Sequence, residues 1–532
     1  MNDTYDAVIV GGGHNGLTAA GYLGKAGYKT IVLERLPQVG GAVVTEEIHP
    51  GYRISAVSYV VSLLRPEVIE DLELKKHGFE MLKMDGTLAI CGDDHLLLTG
   101  DEAHDREEVG RYSDFDFDAM DRFEEIIQTI GTVIRNQMLR EPPKLAAGLS
   151  DFSDLTAMAR MGLDIRKLTP ELRYRLFQML FSSADDFIQR WFDSPMIKNM
   201  YAAACFSGNF ASLRQPGSAI PFFHSAIGEI EGEKGAWRLV KGGMGGLTQA
   251  MAKFARSKGV EIRTDAAVEK ILTEGGRAMG VRLGGGEVIK GRCVLANTDP
   301  KRTFLKLMET DQLDKEFIRD IRQYRMGHSS LRLNLALKGL PDIKFFPAGS
   351  EGPWHRSDIT IFPDYEPMEA NYFAAAAGRL PEEPRLEITI PSTLDDSLAP
   401  AGHHVMSILA KYYPYRLADG VSWDDIKEDV ADRITAYMAR AMPNLPELIV
   451  GRQMLSPLDL ETIYGLTESD IFHGRHDMDQ VFSLRPHPRA AQYETPVKGL
   501  YLCGSGAHPG GGVSGAPGHN AARRVIADLK RR

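Results

Sequence analysis

The sequence predicts an α/β fold that opens on a Rossmann-like dinucleotide-binding unit, and three observations carry that expectation. An apolar, β-branched run over 7–10 reads as a buried strand. The residues that follow it are GGGHNG, and a helix-spaced stretch over 16–26 then stops at Gly27. A second apolar strand over 29–33 ends on Glu34. The glycine cluster therefore stands at a strand-to-helix turn, where a bound diphosphate needs close approach to the backbone.

At roughly 150 residues per domain, 532 residues imply two or three lobes. A hydrophobic share of 43% with 25% charged residues supplies a large core and excludes wholesale disorder. The net charge of −10 repels a phosphate backbone, so nucleic acid is not expected as a partner. The longest nearly apolar run, 54–64, is 11 residues with three serines, short of the roughly 20 a membrane span needs. The first ten residues hold Asp3 and Asp6 and no Lys or Arg, so no targeting peptide is expected there. Cys91, Cys205, Cys293 and Cys503 form no CxxC pair, which points to a reducing, cytoplasmic setting and to no zinc site. His473 and His476 beside Asp477 have poor ligand spacing, so no metal is expected there either.

Beyond Gly41 the pattern loosens. Residues 101–125 are markedly acidic, apolar residues then recur at helical spacing to about 191, and 100–235 reads as a mainly helical insert. A second glycine cluster, KGGMGG at 241–246, opens a helix over 247–257, followed by strands over 260–263 and 267–272. Strands over 279–283 and 288–296 flank Gly284, Gly285 and Gly286 as a hairpin, and Asp299 with Pro300 reads as a helix start. Strand text over 331–337, 386–390 and 404–412 with a helix over 423–441 predicts a second α+β lobe. The end is a short buried strand, a glycine-dense loop and a last helix.

In the first motif, Gly11 permits the tight turn, Gly13 lets a diphosphate approach, and Gly16 lets helix and strand pack closely. Asn15 stands in the same turn, where the helix N-terminus offers free N–H groups and partial positive charge. Glu34, eighteen residues after Gly16, is placed to accept hydrogen bonds from a ribose diol and would repel a 2′-phosphate. The fingerprint serves NAD and FAD alike. Arg35, Gly40, Gly41 and Ala42 follow directly and suit a ligand that continues past its first nucleotide.

Three blocks, YDAVIVGGGHNGLTAAGYLGKAGYKTIVLERLPQVGGAVVTEE, WRLVKGGMGGLTQAMAK and GLYLCGSGAHPGGGVSGAPGHNAA, together resemble the phytoene desaturase-like FAD oxidoreductases. The resemblance spans the chain in order. It is nearest to the branch of pyridine nucleotide-disulfide oxidoreductase domain-containing protein 2. It implies a Rossmann-like FAD-binding domain of the GR2/amine-oxidase type with an inserted α+β substrate-binding domain. FAD-binding segments are expected at 1–100, 236–304 and 491–532, a helical substrate cap at 101–235 and the α+β substrate domain at 305–490. It also implies that Gly11, Gly13, Gly16, Glu34, Arg35, Gly40 and Gly41 hold the ADP half and diphosphate, and that the backbone of Val268 meets the adenine. Gly504, Ser505, Gly512, Val513 and Ser514 would border the flavin ring. Seven glycines among residues 504–518, directly before a helix, independently suit close approach to a flat ligand.

The implied activity is hydride transfer from an apolar, polyene or lipid-like substrate to flavin. Oxygen or a quinone is expected as electron acceptor, because no second GxGxxG offers a site to NAD(P)H. The widely spaced cysteines give no support to disulfide reduction. Rivals on the same scaffold are a redox-neutral isomerase or saturase, an amine oxidase, and a binding or regulatory protein without flavin chemistry. His508 is the candidate catalytic residue, as an acid or base or as a brace of its loop. Tyr59 and Arg65 are candidates for a substrate path. Trp191, Phe206, Phe210, Phe222 and Phe223 suit either an apolar tunnel or an aromatic core. Peripheral membrane contact fits a lipid-like substrate, and the oligomeric state is left open.

Overall fold

The computed structural model describes residues 4–144, 152–206, 208–327 and 329–531. Two seven-stranded sheets organise them. In the first, strands Glu261–Arg263, Thr30–Leu33, Tyr5–Val10 and Val288–Ala296 run parallel side by side, and Leu500–Leu502 adds a further parallel strand beside Val288–Ala296. Val8 sits in register with Ile31 on one side and Val294 on the other. Strands Val268–Glu274 and Arg277–Leu283 complete this sheet as an antiparallel extension, through the glycine hairpin expected at 284–286.

The helix His14–Lys25 starts two residues earlier than its spacing predicts and ends within a residue of it. It packs with Gly245–Ser257 and Ala516–Lys530 against the sheet, and its small residues Ala19, Ala20, Gly21 and Gly24 are buried in that packing. The central parallel strands Tyr5–Val10 and Thr30–Leu33 are buried over 7–10 and 30–33, which is why their text is nearly continuously apolar rather than alternating.

The second sheet runs in the order Ile449–Leu455, Ser330–Leu337, His404–Lys411, Leu386–Thr389, Asp358–Ile361, Thr87–Cys91, Asp94–Leu98. All its pairings are antiparallel except that of Asp358–Ile361 with Thr87–Cys91. Residues 87–98 thus join the second sheet, although the sequence suggests grouping them with the first segment. Ile359 paired on Leu88 decides it, a contact between positions far apart in the chain that local text cannot reveal.

Between residues 102 and 226 the described structure is helical, with Asp116–Met138 as its long axis. Phe123 lies at the centre of this layer, its ring within 6 Å of Phe187, Trp191, Phe192, Tyr201 and Phe222. Asp299 begins its helical turn as expected, its Oδ1 accepting the Arg302 N–H at 2.9 Å. Among the described residues no helix is long and apolar enough to cross a membrane.

Candidate functional site: a groove between the two sheets

The first helix begins at Gly13 with no side-chain cap, so its opening N–H groups face outward from the turn. A Cβ at Gly16 would stand 2.3 Å from the Gly11 carbonyl oxygen, and one at Gly13 2.9 Å from Asn297 Nδ2. Glycine is required at Gly16, where the clash is with backbone, whereas a side chain at Gly13 would have to displace the Asn297 amide. Glu34 is buried and fixed by two backbone donors, the Gly12 N–H at 2.7 Å and the Leu36 N–H at 3.0 Å. Asn297, at the end of the neighbouring parallel strand, donates to the Gly11 oxygen at 3.2 Å.

These residues line a groove of about 160 Å³. Gly11, Gly13, Asn15, Glu34, Arg35, Gly40, Gly41, Ala42, Val268 and Ser505 all lie on its wall, which joins the first turn of the chain to its last glycine loop. Asn15 Nδ2 donates to Ser505 Oγ at 3.1 Å across that junction. Gly16 and Gly504 stand behind the wall as close-packing positions. A Cβ at Gly504 would lie 2.6 Å from the Asn297 oxygen. Arg35 lines the groove, but its Nη2 donates to the carbonyls of Thr462 and Ile463, closing the C-terminal end of helix Pro457–Tyr464.

A second cavity, of about 120 Å³, continues from this groove. The two share His14, Ala42 and Ile471. Its walls are Gly512 and Val513 on one element and Tyr59, Arg332, Glu387 and Lys411 on others. Ser514 stands just behind, its Oγ accepting the Ala516 N–H at 3.2 Å at the start of the last helix. Tyr59 thus reaches this cavity. Arg65 instead pairs with Glu67 at 3.1 Å and donates its N–H to the Ser514 oxygen. A third cavity of about 360 Å³ shares Trp237 and Glu387 with the second and runs beneath the helical layer, past Phe123, Ile127, Met200 and Phe222.

His508 lines neither the groove nor the cavity that continues it. Its Nε2 reaches the Gln137 carbonyl oxygen at 3.0 Å, so Nε2 must be the protonated nitrogen, and Nδ1 is left without a partner. That bond turns the ring toward an apolar cavity of about 320 Å³ under helices Asp116–Met138, Phe152–Lys167 and Pro170–Phe181. Burial lowers its pKa to about 4, which keeps it neutral. His473 faces the dinucleotide groove and His476 the apolar cavity. Of the aromatic candidates, Trp191 packs in the helical core, while Phe206 and Phe210 pack on Tyr412. The Phe223 side chain lies outside the described residues.

The sequence did not single out His14, Asn297, Arg302, Arg332, Glu387 or Lys411. His14 lies inside the glycine motif and was legible there as a residue at the helix mouth. The others come from strands of the second sheet, from the end of Val288–Ala296 and from the helical turn at Arg302, with no local signature. Burial lowers the His14 pKa to about 3, with His473 adding to the effect. The second glycine cluster spends its backbone donors internally: Met244 N–H on Ser55 Oγ at 2.9 Å, Gly245 N–H on Thr45 Oγ1 at 3.0 Å, and Gly242 N–H on Asp395 Oδ2 at 2.6 Å. It offers none of these to a second nucleotide. All four cysteines are buried free thiols.

The polar lining of the groove suits a bound FAD. His14 Nε2, Asn15 Oδ1 and His473 Nδ1 are buried polar atoms on its wall that find no partner in the protein, and such atoms are costly unless a ligand or water meets them.

Residues 16–526 match the family described as flavin containing amine oxidoreductase. The chain is 38% identical to pyridine nucleotide-disulfide oxidoreductase domain-containing protein 2 of Rattus norvegicus, over 100% of this chain and 94% of that protein. It is 27% identical to a component of the limonene dehydrogenase of Castellaniella defragrans, over 98% of this chain and 95% of that one. Cyclohexylamine oxidase from Brevibacterium oxydans superposes with a TM-score of 0.61 at 12% identity, covering 99% of this chain and 100% of its own.

Proposed function

The chain belongs to the flavin-containing amine oxidoreductase family and is an FAD-dependent oxidoreductase; from that premise we propose that it is a dehydrogenase of desaturase type acting on a largely apolar substrate. FAD held in the groove would supply the two-electron oxidant for removing a hydride from a substrate carbon.

The protein's own contribution is to bind, orient and exclude water. Glu34 accepts hydrogen bonds from the ribose, Gly11, Gly13 and Asn15 present the helix mouth to the diphosphate, and Arg302 adds a cation to the same groove. Val268 meets the adenine with its backbone, and Gly40, Gly41 and Ala42 line the passage toward the ring. Gly512, Val513 and Ser514, at the start of the last helix, border the ring and favour negative charge near it. The observation that carries this reading is the continuity of the dinucleotide groove with the cavity walled by Gly512 and Val513, through His14, Ala42 and Ile471.

The cavity of about 360 Å³ that shares Trp237 and Glu387 with the ring cavity supports a largely apolar substrate, through Phe123, Ile127, Met200 and Phe222. It shares Pro221 with the apolar cavity of about 320 Å³, which is lined by Val133, Ile165, Leu176, Leu180 and Phe482, with Gln137, His476 and His508 as its polar residues. The relative named limonene dehydrogenase supports dehydrogenation of such a compound. Phe177 and Phe181 stand exposed on the helix that supplies Leu176 and Leu180, which supports peripheral contact with a lipid surface. Electrons leave to oxygen or a quinone, a reading supported by the internally satisfied second glycine cluster.

The test is to release and identify the bound cofactor, then to follow flavin absorbance anaerobically with lipophilic substrates. A dehydrogenase bleaches and stays bleached until an acceptor is added. Turnover without any acceptor supports an isomerase, peroxide release with amines supports an amine oxidase, and a colourless protein overturns the flavin reading.

A further inference from the structure

The cavity that continues the dinucleotide groove is apolar over much of its wall, through Val43, Val57, Val60, Leu409 and Phe472, yet it holds two buried cations. Arg332 is 1% exposed and Lys411 3%. They stand on neighbouring strands of the second sheet, Ser330–Leu337 and His404–Lys411. Arg332 lies over the Tyr59 ring at 4.7 Å and spends Nη2 on Ser407 Oγ, while its Nε and Nη1 have no partner. Lys411 Nζ makes no hydrogen bond or ion pair among the described residues.

The one carboxylate of this cavity, Glu387, is shared among more cations than it can neutralise. Glu387 is engaged by Arg385 and by the Tyr59 hydroxyl. Against burial, Arg385 and then Lys411 hold Glu387 well down in the carboxylate range, to about 2, whereas burial and Glu387 raise Asp358 to about 7. Three cations, Arg332, Arg385 and Lys411, therefore face one permanently ionised carboxylate and one that is partly protonated. The residual charge is one to two positive units. Burying unpaired charge is costly, and a fold retains it where a ligand supplies the counter-charge.

We propose that this site takes an amphipathic carboxylate, a monoanionic head held by Lys411 Nζ and the free edge of Arg332, with the apolar body running past Trp237 into the cavity beneath the helical layer. A single carboxylate matches the residual charge. The cavity of about 360 Å³ that shares Trp237 and Glu387 receives the body, against Phe123, Ile127, Met200 and Phe222. The inference names the substrate class of the site and rests on the flavin reading above for which bond is oxidised. The anion contact itself does not depend on it.

The test is calorimetric titration of the purified holoprotein with oleate, oleyl alcohol and oleylamine, each below its aggregation threshold. Oleate is expected to bind at least about tenfold more tightly than the alcohol or the amine, a difference of about 1.4 kcal/mol. Lys411→Met and Arg332→Met should each remove that preference while leaving the alcohol unchanged, and Lys411→Arg should restore it. Equal binding of acid and alcohol, failure of oleate to bind, or a preference untouched by both substitutions overturns the proposal. A substitution that moves the flavin spectrum but leaves the acid-to-alcohol ratio intact also overturns it, by assigning the cations to the cofactor instead. A protein that prefers oleate yet carries no FAD would sink the flavin reading and leave this one standing.

Discussion

Asn15 Nδ2 donates to Ser505 Oγ at 3.1 Å, a hydrogen bond between residues 490 positions apart. It ties the turn that opens the first helix to the glycine loop that precedes the last one. Just beside it, the last helix crosses the first so closely that a Cβ on Gly518 would lie 2.1 Å from the Asn15 carbonyl oxygen. The groove exists because these two ends are clamped together.

Gly518→Ala should therefore spread the two helices. A methyl forced against backbone cannot rotate away, and overpacking of this kind costs about 1–3 kcal/mol. The expected outcome is a lower Tm together with weaker FAD retention, read by thermal unfolding with flavin fluorescence. An unchanged Tm with full flavin content would show that the crossing relaxes freely.

Glu34 accepts from Gly12 and Leu36 and has lone pairs left toward the groove. Glu34→Ala leaves the Gly12 N–H without its carboxylate and removes the ribose acceptor. Hydrogen bonds to charged groups are worth about 1.5–3 kcal/mol, so FAD affinity should fall by roughly 10- to 100-fold. Reconstitution of the apoprotein with FAD measures this directly.

Lys411 has its pKa lowered to about 8, chiefly by burial, with Glu387 opposing and Arg385 and Arg332 reinforcing the shift. The unfolded lysine keeps its proton up to about 10.4. Between about 8 and that value the unfolded chain binds more protons, so this residue's contribution to stability rises with pH through the window. Lys411→Met should raise Tm at pH 7, with a gain that shrinks toward pH 10. Carboxylate binding by the wild type should weaken above pH 8, as the ammonium loses its charge.

His508 is held neutral, its pKa lowered to about 4 by burial, against the Gln137 bond that favours protonation. The unfolded chain takes up this proton near 6.5 and the folded one only near 4, so stability is lost as pH falls through that interval. His508→Gln should flatten that loss by up to about 1.4 kcal/mol per pH unit. Denaturant titrations at pH 4.5, 5.5 and 6.5 give the slope. An identical slope in the variant would mean that the ring is solvated.

Exposed Phe177 and Phe181 should be dispensable for folding, since surface positions contribute little to the core. The double substitution Phe177→Ser with Phe181→Ser is expected to leave FAD content and Tm unchanged and to reduce flotation with lipid vesicles. Equal flotation of both proteins would remove these helices from any lipid contact.

The first β-α-β unit, the hairpin at 284–286 and three strands of the second sheet, those near 331–337, 386–390 and 404–412, were legible in the sequence, because each is decided by residues within one element. Val8 and Ile31 are apolar whichever strand they pair with, and Gly11, Gly13 and Glu34 carry their spacing in a single short stretch. Arg35 lines the groove where its position suggests, but the carbonyls of Thr462 and Ile463 that engage its guanidinium lie over 400 residues away, beyond what local text records.

What the sequence by itself determined is the glycine turn, the acid Glu34 that ends the second strand and the glycine-dense end, since close backbone approach demands glycine and leaves that demand in the text. Only the tertiary structure decided that residues 87–98 belong to the second sheet, that His508 turns away to Gln137, and that Arg332 and Lys411 share a cavity with Gly512. The physical reason is that a buried charge takes its meaning from partners brought to it by strand pairing between distant segments. Nothing in a lysine's neighbours along the chain records which carboxylates, or how few, will face it once the sheet has formed.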